Sequence, residues 1–303
     1  MSRLPASITR RLRLPLIAAP MLLVSGPDLV IAASRAGAIG SFPTKNCRSV
    51  DDLERWLARM QEETDGCAPF APNLIVHKTN TRLEEDTRLV EKYKCAMVIT
   101  SVGSPAPVMD RLHAAGTFVF ADVASMRHVE RALEVGVDGL ILLTAGAGGQ
   151  TGWANPFAFV RAVRAVFDGP VVLAGGVADG IALRAAVALG CDLAYMGTRF
   201  IATKESLAAQ AYKDMLVTST LDDIVLSRAL TGLETNLLRP SVEAAGVDTT
   251  AVGTLDAGAG SGITPNAPRR WRDVWSAGHT VSQVHDIPDV ATLVDRIVAE
   301  YAS

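Results

Sequence analysis

Between Leu16 and about Met215 the chain repeats one pattern, a short apolar block followed by a longer amphipathic stretch. The blocks are Leu16–Ala19, Ala38–Ser41, Asn73–Val76, Ala96–Ser101, Thr117–Ala121, Gly139–Leu143, Val171–Ala174 and Leu193–Met196. None shows a sustained polar alternation, which suits strands buried on both faces of a parallel sheet. Between them lie helical patterns such as Val50–Glu63, Arg82–Lys94, Ala124–Glu134 and Ile181–Leu189. In the first, Val50, Leu53, Trp56, Leu57 and Met60 share one face, and Asp51 and Asp52 sit near the positive end of the helix dipole. Gly37, Gly116, Gly136 and Gly190 stand where C-terminal caps are expected. Eight β units in roughly 200 residues fit a closed (β/α)8 TIM barrel. An open doubly wound sheet satisfies the same local pattern; count and length favour the barrel.

After Met215 the rhythm changes. Ser219–Gly246 reads as irregular and then helical, Val247–Pro268 as a loop rich in Gly, Ala, Thr and Pro, and Trp271–Gly278 as an aromatic-punctuated segment. Pro288–Tyr301 reads as a closing amphipathic helix. The tail is too poor in strands for an independent second sheet. The expected architecture is therefore an α/β fold, a barrel over residues 14–216 with a C-terminal helical appendage over 217–287 covering the active-site end. Residues 288–303 form a last helix on the barrel. Only 5% of the residues are aromatic, and small side chains let helices sit low on a sheet.

Charge and cysteine usage narrow the partners. Lys and Arg number 29 against 32 Asp and Glu, a formal net charge of −3, without the basic excess that nucleic acid or an anionic membrane favours. Cys47, Cys67, Cys95 and Cys191 form no C-x-x-C and have no clustered His beside them. No metal site or disulfide framework is expected, and reduced thiols suit a cytoplasmic protein. Arg3, Arg10, Arg11 and Arg13 before the apolar run Leu14–Val24 imitate a secretory signal. Pro15 and Pro20 break that run as a helix, and a first strand explains the same residues. No stretch reaches the roughly 20 apolar residues of a membrane span.

Barrel enzymes place their sites on the loops after the strands. Two of those loops are informative. Leu173-Ala174-Gly175-Gly176-Val177-Ala178-Asp179 runs a strand through two glycines into a helix start, and Tyr195-Met196-Gly197-Thr198-Arg199-Phe200 repeats the arrangement one strand later. Glycine lets backbone N–H groups approach an anion, and a helix start adds its positive end. Paired on the seventh and eighth strands, these turns read as a phosphate cradle; tight turns without a ligand are the plainer reading. The loop Thr144–Trp153 carries Gly146, Gly148, Gly149 and Gly152, enough freedom to wrap a flat ligand or simply to move. It has no Walker lysine, which argues against an ATP-binding P-loop.

Together, Ala18-Ala19-Pro20-Met21, Asn73-Leu74-Ile75-Val76, Ala147-Gly148-Gly149-Gln150-Thr151-Gly152 and the two glycine turns resemble the nitronate monooxygenases, relatives of flavin-dependent enoyl-acyl-carrier-protein reductases. Trp275-Ser276-Ala277-Gly278 is similar to that family's closing segment. The resemblance implies noncovalent FMN. Gly175, Gly176, Gly197 and Thr198 would hold the phosphate, Ala19, Pro20 and Met21 would pack beside the ring, Asn73 would hydrogen-bond it, and Gly149 would line it. It further implies a small-molecule substrate, an alkyl nitronate, oxidised with O2 to a carbonyl compound and nitrite. The family's loop motif reads Ala-Gly-Gly-His-x-Gly, and here Gln150 replaces the His. Gln donates and accepts hydrogen bonds but takes no proton near neutral pH, so oxidation of a preformed nitronate survives this change better than attack on a neutral nitroalkane.

Gln150 and His77 are thus the candidate catalytic residues. His77 follows the third strand, with Lys78 beside it, and is a candidate to anchor an anion or to serve as base. His279 is a weaker candidate; His113, His128 and His285 read as surface or packing residues. Asp122 would orient a cation or cap the next helix, and Trp153 and Trp275 are candidate pocket walls. Three other functions remain open on the residues alone: an NAD(P)H-dependent flavin reductase of a quinone or enoyl thioester, a flavin-free sugar-phosphate lyase or isomerase, and a flavin-binding protein without catalysis. A homo-oligomer is also open.

Overall fold

The computed structural model of the chain describes residues 3–230, 232–250 and 271–303. Most of the loop read over Val247–Pro268 lies outside the described residues. Eight strands close a parallel barrel: β1 (Leu16–Ala18), β2 (Ile39–Pro43), β3 (Phe70–Ile75), β4 (Met97–Ser101), β5 (Phe118–Val123), β6 (Gly139–Leu143), β8 (Val171–Ala174) and β9 (Leu193–Met196). The ring shuts where β1 pairs with β9, with Ile17 opposite Tyr195. A two-residue strand, β7 (Gly149–Gln150), leaves the barrel and joins β10 (Ile224–Ser227) and β11 (Thr235–Leu238) in a separate three-stranded sheet in the order β10-β11-β7.

Alternation within each strand builds two apolar layers. Ile17, Ile39, Met97, Ile99, Phe120 and Tyr195 point inward with their row-mates, while Leu16, Val98, Val119, Leu142 and Leu173 meet the helices outside. The interior fit is tight at Gly139, where a Cβ would lie 2.2 Å from the Phe120 ring. The N-terminal turn α1 (Ala6–Thr9) brings Ile8, with Leu4 before it, into the interior cluster. Burial there is worth about 1.5–3 kcal/mol for each fully buried side chain.

The helices are α2 (Pro27–Ala36), α3 (Val50–Glu63), α4 (Leu83–Lys92), α5 (Ala106–Ala114), α6 (Met126–Glu134), α7 (Pro156–Arg164), α8 (Gly180–Leu189), α9 (Thr198–Ile201), α10 (Gln210–Thr218), α11 (Arg239–Ala244) and α12 (Val290–Ala302). Gly37 and Gly190 cap α2 and α8 in the left-handed conformation. Helix α9 is only four residues long, and α12 packs against both α8 and α2. The approach is close: a Cβ on Gly180 would lie 2.3 Å from the Ile297 carbonyl oxygen.

The tail departs from the sequence reading. Ser219–Gly246, expected to be irregular and then helical, forms the β10–β11 hairpin before α11. Each strand is four residues long, too short to announce itself by periodicity, and each is fixed by pairing rather than by propensity. Leu238, Ala277, Val281 and Val284 from this region join Val24, Ile201 and Tyr212 in one apolar cluster. The tail thus packs on the loops after β1 and β9, at the C-terminal mouth of the barrel. Among the described residues no helix is long and apolar enough to cross a membrane.

Candidate active site

The two glycine turns have different roles. Gly175 has φ +116, and a Cβ there would lie 2.7 Å from Thr144 Oγ1 and 3.0 Å from the Ala147 nitrogen. Its smallness lets the loop after β6 close down on β8. Gly176, at φ +79, faces open space. Among the described residues no backbone carbonyl accepts from the N–H of Gly176 or of Val177. These are free donors at the end of a barrel strand, as an anion cradle needs.

The following helix does not add its positive end. Asp179 caps α8 by accepting from the Ala182 N–H at 2.7 Å, and the Gly180 N–H donates to Glu300 Oε2 at 2.8 Å. Two carboxylates already occupy that terminus, so an anion would be held by the loop amides instead. On the neighbouring strand, Thr198 Oγ1 accepts from the Gly278 N–H at 3.0 Å and keeps its own hydrogen to donate. A Cβ on Gly197 would lie 3.7 Å from Met21 Sδ and 3.8 Å from the Ala19 Cβ. The ends of β1 and β9 therefore meet, and Pro20 lies between the two contacts.

The loop after β6 is pinned at several points. Thr235 pairs with Gln150 and Asn236 with Gly149 across the β11–β7 ladder, and Asn236 Nδ2 donates to the Ala147 carbonyl at 2.8 Å. Thr151 donates its hydroxyl to the Thr144 carbonyl at 2.9 Å. The closing segment lies on the same loop: the His279 N–H donates to the Gly146 carbonyl at 2.9 Å, and a Cβ on Gly146 would lie 3.0 Å from His279 Nδ1. His279 thus reaches the glycine loop, whereas His77 Nδ1 is 2.8 Å from Thr79 Oγ1 within its own loop. His113 bonds Asp138 on the surface, and His128 Nδ1 accepts from the Ala124 N–H.

The aromatic walls differ from expectation. Trp153 is 76% exposed, and Trp275 stacks on Tyr212 with ring centroids 5.0 Å apart. Trp271 instead lies over Gly149, 3.6 Å from where a Cβ would stand.

Beneath these loops the barrel interior ends in polar side chains. Asn73, buried within β3, donates to Ser101 Oγ at 3.1 Å and to the Ile99 carbonyl at 3.3 Å, and accepts from Ser101 through Oδ1. Asp122 neither orients a cation nor caps α6; Ser125 is that cap. Its Oδ1 is buried without a partner, as is the Tyr195 hydroxyl. Burial pushes the Asp122 carboxyl up to about 7. Burial, and then the nearby Asp122 charge, raise the Tyr195 phenol well above its ordinary range. Sequence reasoning missed Tyr195 and Asn236. The inward alternation of Leu193 and Tyr195 signalled the first, and nothing local signalled the second.

A closed parallel barrel that gathers glycine turns, free amides and a half-buried carboxyl at its C-terminal mouth defines a (β/α)8-barrel protein with a candidate ligand site. Residues 81–300 match the family model of nitronate monooxygenase, and the chain belongs to that family. It is 28% identical, over 74% of its length, to a (3aS,4S,5R,7aS)-5-hydroxy-7a-methyl-1-oxo-octahydro-1H-indene-4-carboxyl-CoA dehydrogenase of Rhodococcus jostii, and spans 62% of that protein. It is 26% identical to a nitronate monooxygenase of Paraburkholderia phytofirmans, over 77% of this chain and 76% of that one. Among solved structures, a variant of FabK from Thermotoga maritima superposes with a TM-score of 0.80 at 26% identity, covering 99% of this chain and 96% of that one.

Proposed function

We propose that the chain is an FMN-dependent oxidoreductase that converts an alkyl nitronate and O2 into a carbonyl compound and nitrite. The observation that carries the reading is the free Gly176 and Val177 amides after β8 together with the Thr198 hydroxyl after the neighbouring β9, whose end meets the Ala19–Met21 turn. The residues fit the cofactor. Gly176, Val177, Gly197 and Thr198 would hold the phosphate, with Gly175 letting the β6 loop close behind them. Ala19, Pro20, Met21 and Gly149 would line the ring, and Asn73 and the unpartnered atoms of Asp122 and Tyr195 would meet its polar edge. When bound, FMN supplies the electron-accepting ring and its reaction with oxygen.

The protein's own contribution is to bind, orient and shield. Gln150, held on β7 by its pairing with Thr235, would donate its side-chain amide to the oxygens of an anionic nitronate. A nitronate already lacks its α-proton, so no base is required of Gln150. His77 and Lys78 at the rim supply donors for an anionic substrate. The tail, packed on the loops after β1 and β9, would help to keep bulk water from the reacting carbon.

A second reading, an NAD(P)H-dependent reductase of a quinone or enoyl thioester, draws support from the likeness to FabK and to the CoA-ester dehydrogenase. One experiment separates the two. The purified protein is expected to show an oxidised-flavin absorbance that anaerobic propionate 3-nitronate bleaches, with nitrite formed on readmitting O2. Bleaching by NAD(P)H and not by the nitronate would establish the reductase instead. A colourless protein that takes up no added FMN would overturn both.

A further inference from the structure

Asp122 is the last residue of the inward row on β5, after Phe118 and Phe120, and the only polar one of the three. Its Oδ1 is enclosed without a hydrogen-bond partner, and so is the hydroxyl of Tyr195, itself 8% exposed, near the end of β9. Packed interiors satisfy such atoms, and leaving them unmade is costly. Neighbouring Asn73 and Ser101 satisfy each other, so the two orphans are not a general feature of this layer. Both lie under the loops where the glycine turns converge. A ligand that brings its own donor and acceptors would complete them.

We propose that Asp122, as a neutral carboxylic acid, and the Tyr195 hydroxyl together bind the imide edge of a flavin ring. The proposal deepens the FMN reading and rests on it. An imide edge presents one N–H between two carbonyl oxygens. A carboxylic acid answers with one O–H donor and one C=O acceptor, and Tyr195 donates to the second carbonyl. No charge is buried in this arrangement, which suits an acid already raised to about 7 by burial alone. Of the elements around it, β4 presents Ile99 and Ser101 inward, β6 presents Ile141 and Leu143, and β9 presents Tyr195. Tyr195 is the titratable side chain in this set, and its raised phenol stays protonated.

Only the protonated Asp122 carries the donor. FMN affinity is therefore expected to be level below about pH 7 and to weaken toward tenfold per unit above it. In Asp122→Asn the amide keeps one donor and one acceptor but does not titrate. Dissociation constants of FMN, read from quenching of its fluorescence by flavin-free protein between about pH 6 and pH 9, test this. The wild-type profile should fall with rising pH while Asp122→Asn stays flat, apart from the phosphate's own ionisation, which both share. Tyr195→Phe should weaken binding several-fold at every pH. Parallel profiles for wild type and Asp122→Asn, with Tyr195→Phe binding like wild type, would overturn this proposal alone. A wild-type protein that binds no FMN at any pH would overturn the FMN reading, and this proposal with it.

Discussion

Asn236 donates its side-chain amide to the Ala147 carbonyl at 2.8 Å, joining positions 89 residues apart. The bond ties β11 to the glycine loop beside the two pairs that place Gly149 and Gln150. A loop with four glycines in seven positions has little order of its own, and here the tail supplies it.

Asn236→Ala should leave the Ala147 carbonyl unpaired at a site where Asn236 is 2% exposed, lowering stability by about 1–3 kcal/mol. Equilibrium urea unfolding checks the loss, and an FMN titration should show weaker binding. An unchanged midpoint would mean that the β7 ladder holds the loop without help.

Gly176→Asp should yield a folded protein without flavin, because the new carboxylate would lie among the amides proposed to hold the phosphate. Gly175→Ala should instead cost stability, about 1–3 kcal/mol of overpacking against Thr144. Flavin content per chain and a thermal melt distinguish the two. Stoichiometric FMN in Gly176→Asp would sink the phosphate assignment.

Gln150 leaves the glycine loop without a proton acceptor. General-base catalysis is worth roughly 10²–10⁴-fold, so at neutral pH nitronates should turn over at least about 10²-fold faster than the neutral nitroalkanes. Gln150→His should narrow that ratio. Equal turnover of both forms by the wild type would show that another group, such as His77, takes the proton.

Asp192 accepts from Arg164, from the Arg3 N–H and from the Val171 N–H, with its side chain 2% exposed. Asp192→Ala would leave the Arg164 guanidinium, itself 6% exposed, without its counter-charge and with only backbone carbonyls as partners, and is expected to cost about 3–5 kcal/mol. Chemical denaturation measures this. A loss below about 1 kcal/mol would place the pair among the weak surface bridges.

Asp122 sets a pH dependence of the flavin-free protein. Its carboxyl ionises near 7 in the folded chain against an ordinary 3.8. Between those values the native state holds a proton that the unfolded chain has lost, so stability falls as pH rises from about 4 to about 7. The melting temperature of Asp122→Asn relative to wild type should therefore be higher at pH 8 than at pH 5. The same difference at both pH values would contradict the raised carboxyl.

Much of the barrel is legible locally. Val50–Glu63 is the helix that its apolar face and first-turn acids predict, and Val171–Ala174 and Leu193–Met196 match the expected strands. Strand β3 begins three residues before the expected Asn73, so Asn73 sits inside the strand rather than at its end. The site was legible as residue types, less so as roles. Gly175, read as part of a phosphate cradle, is also where the β6 loop approaches closely, while Asp179, which marked a helix start, caps that helix and adds its carboxylate to Glu300 at a terminus that seemed open to an anion.

The repeat of buried strand and amphipathic helix, with glycine at the turns, was determined by the sequence alone, because those preferences act between residues a few positions apart. Tertiary structure decided which polar groups are already satisfied. Glu300 reaches Gly180 across 120 residues, Asn236 reaches Ala147, and no side chain reaches Asp122 Oδ1 or the Tyr195 hydroxyl among the described residues. Hydrogen-bond satisfaction is a property of neighbours in space, and in a closed barrel those neighbours come from strands and tails far apart in the chain.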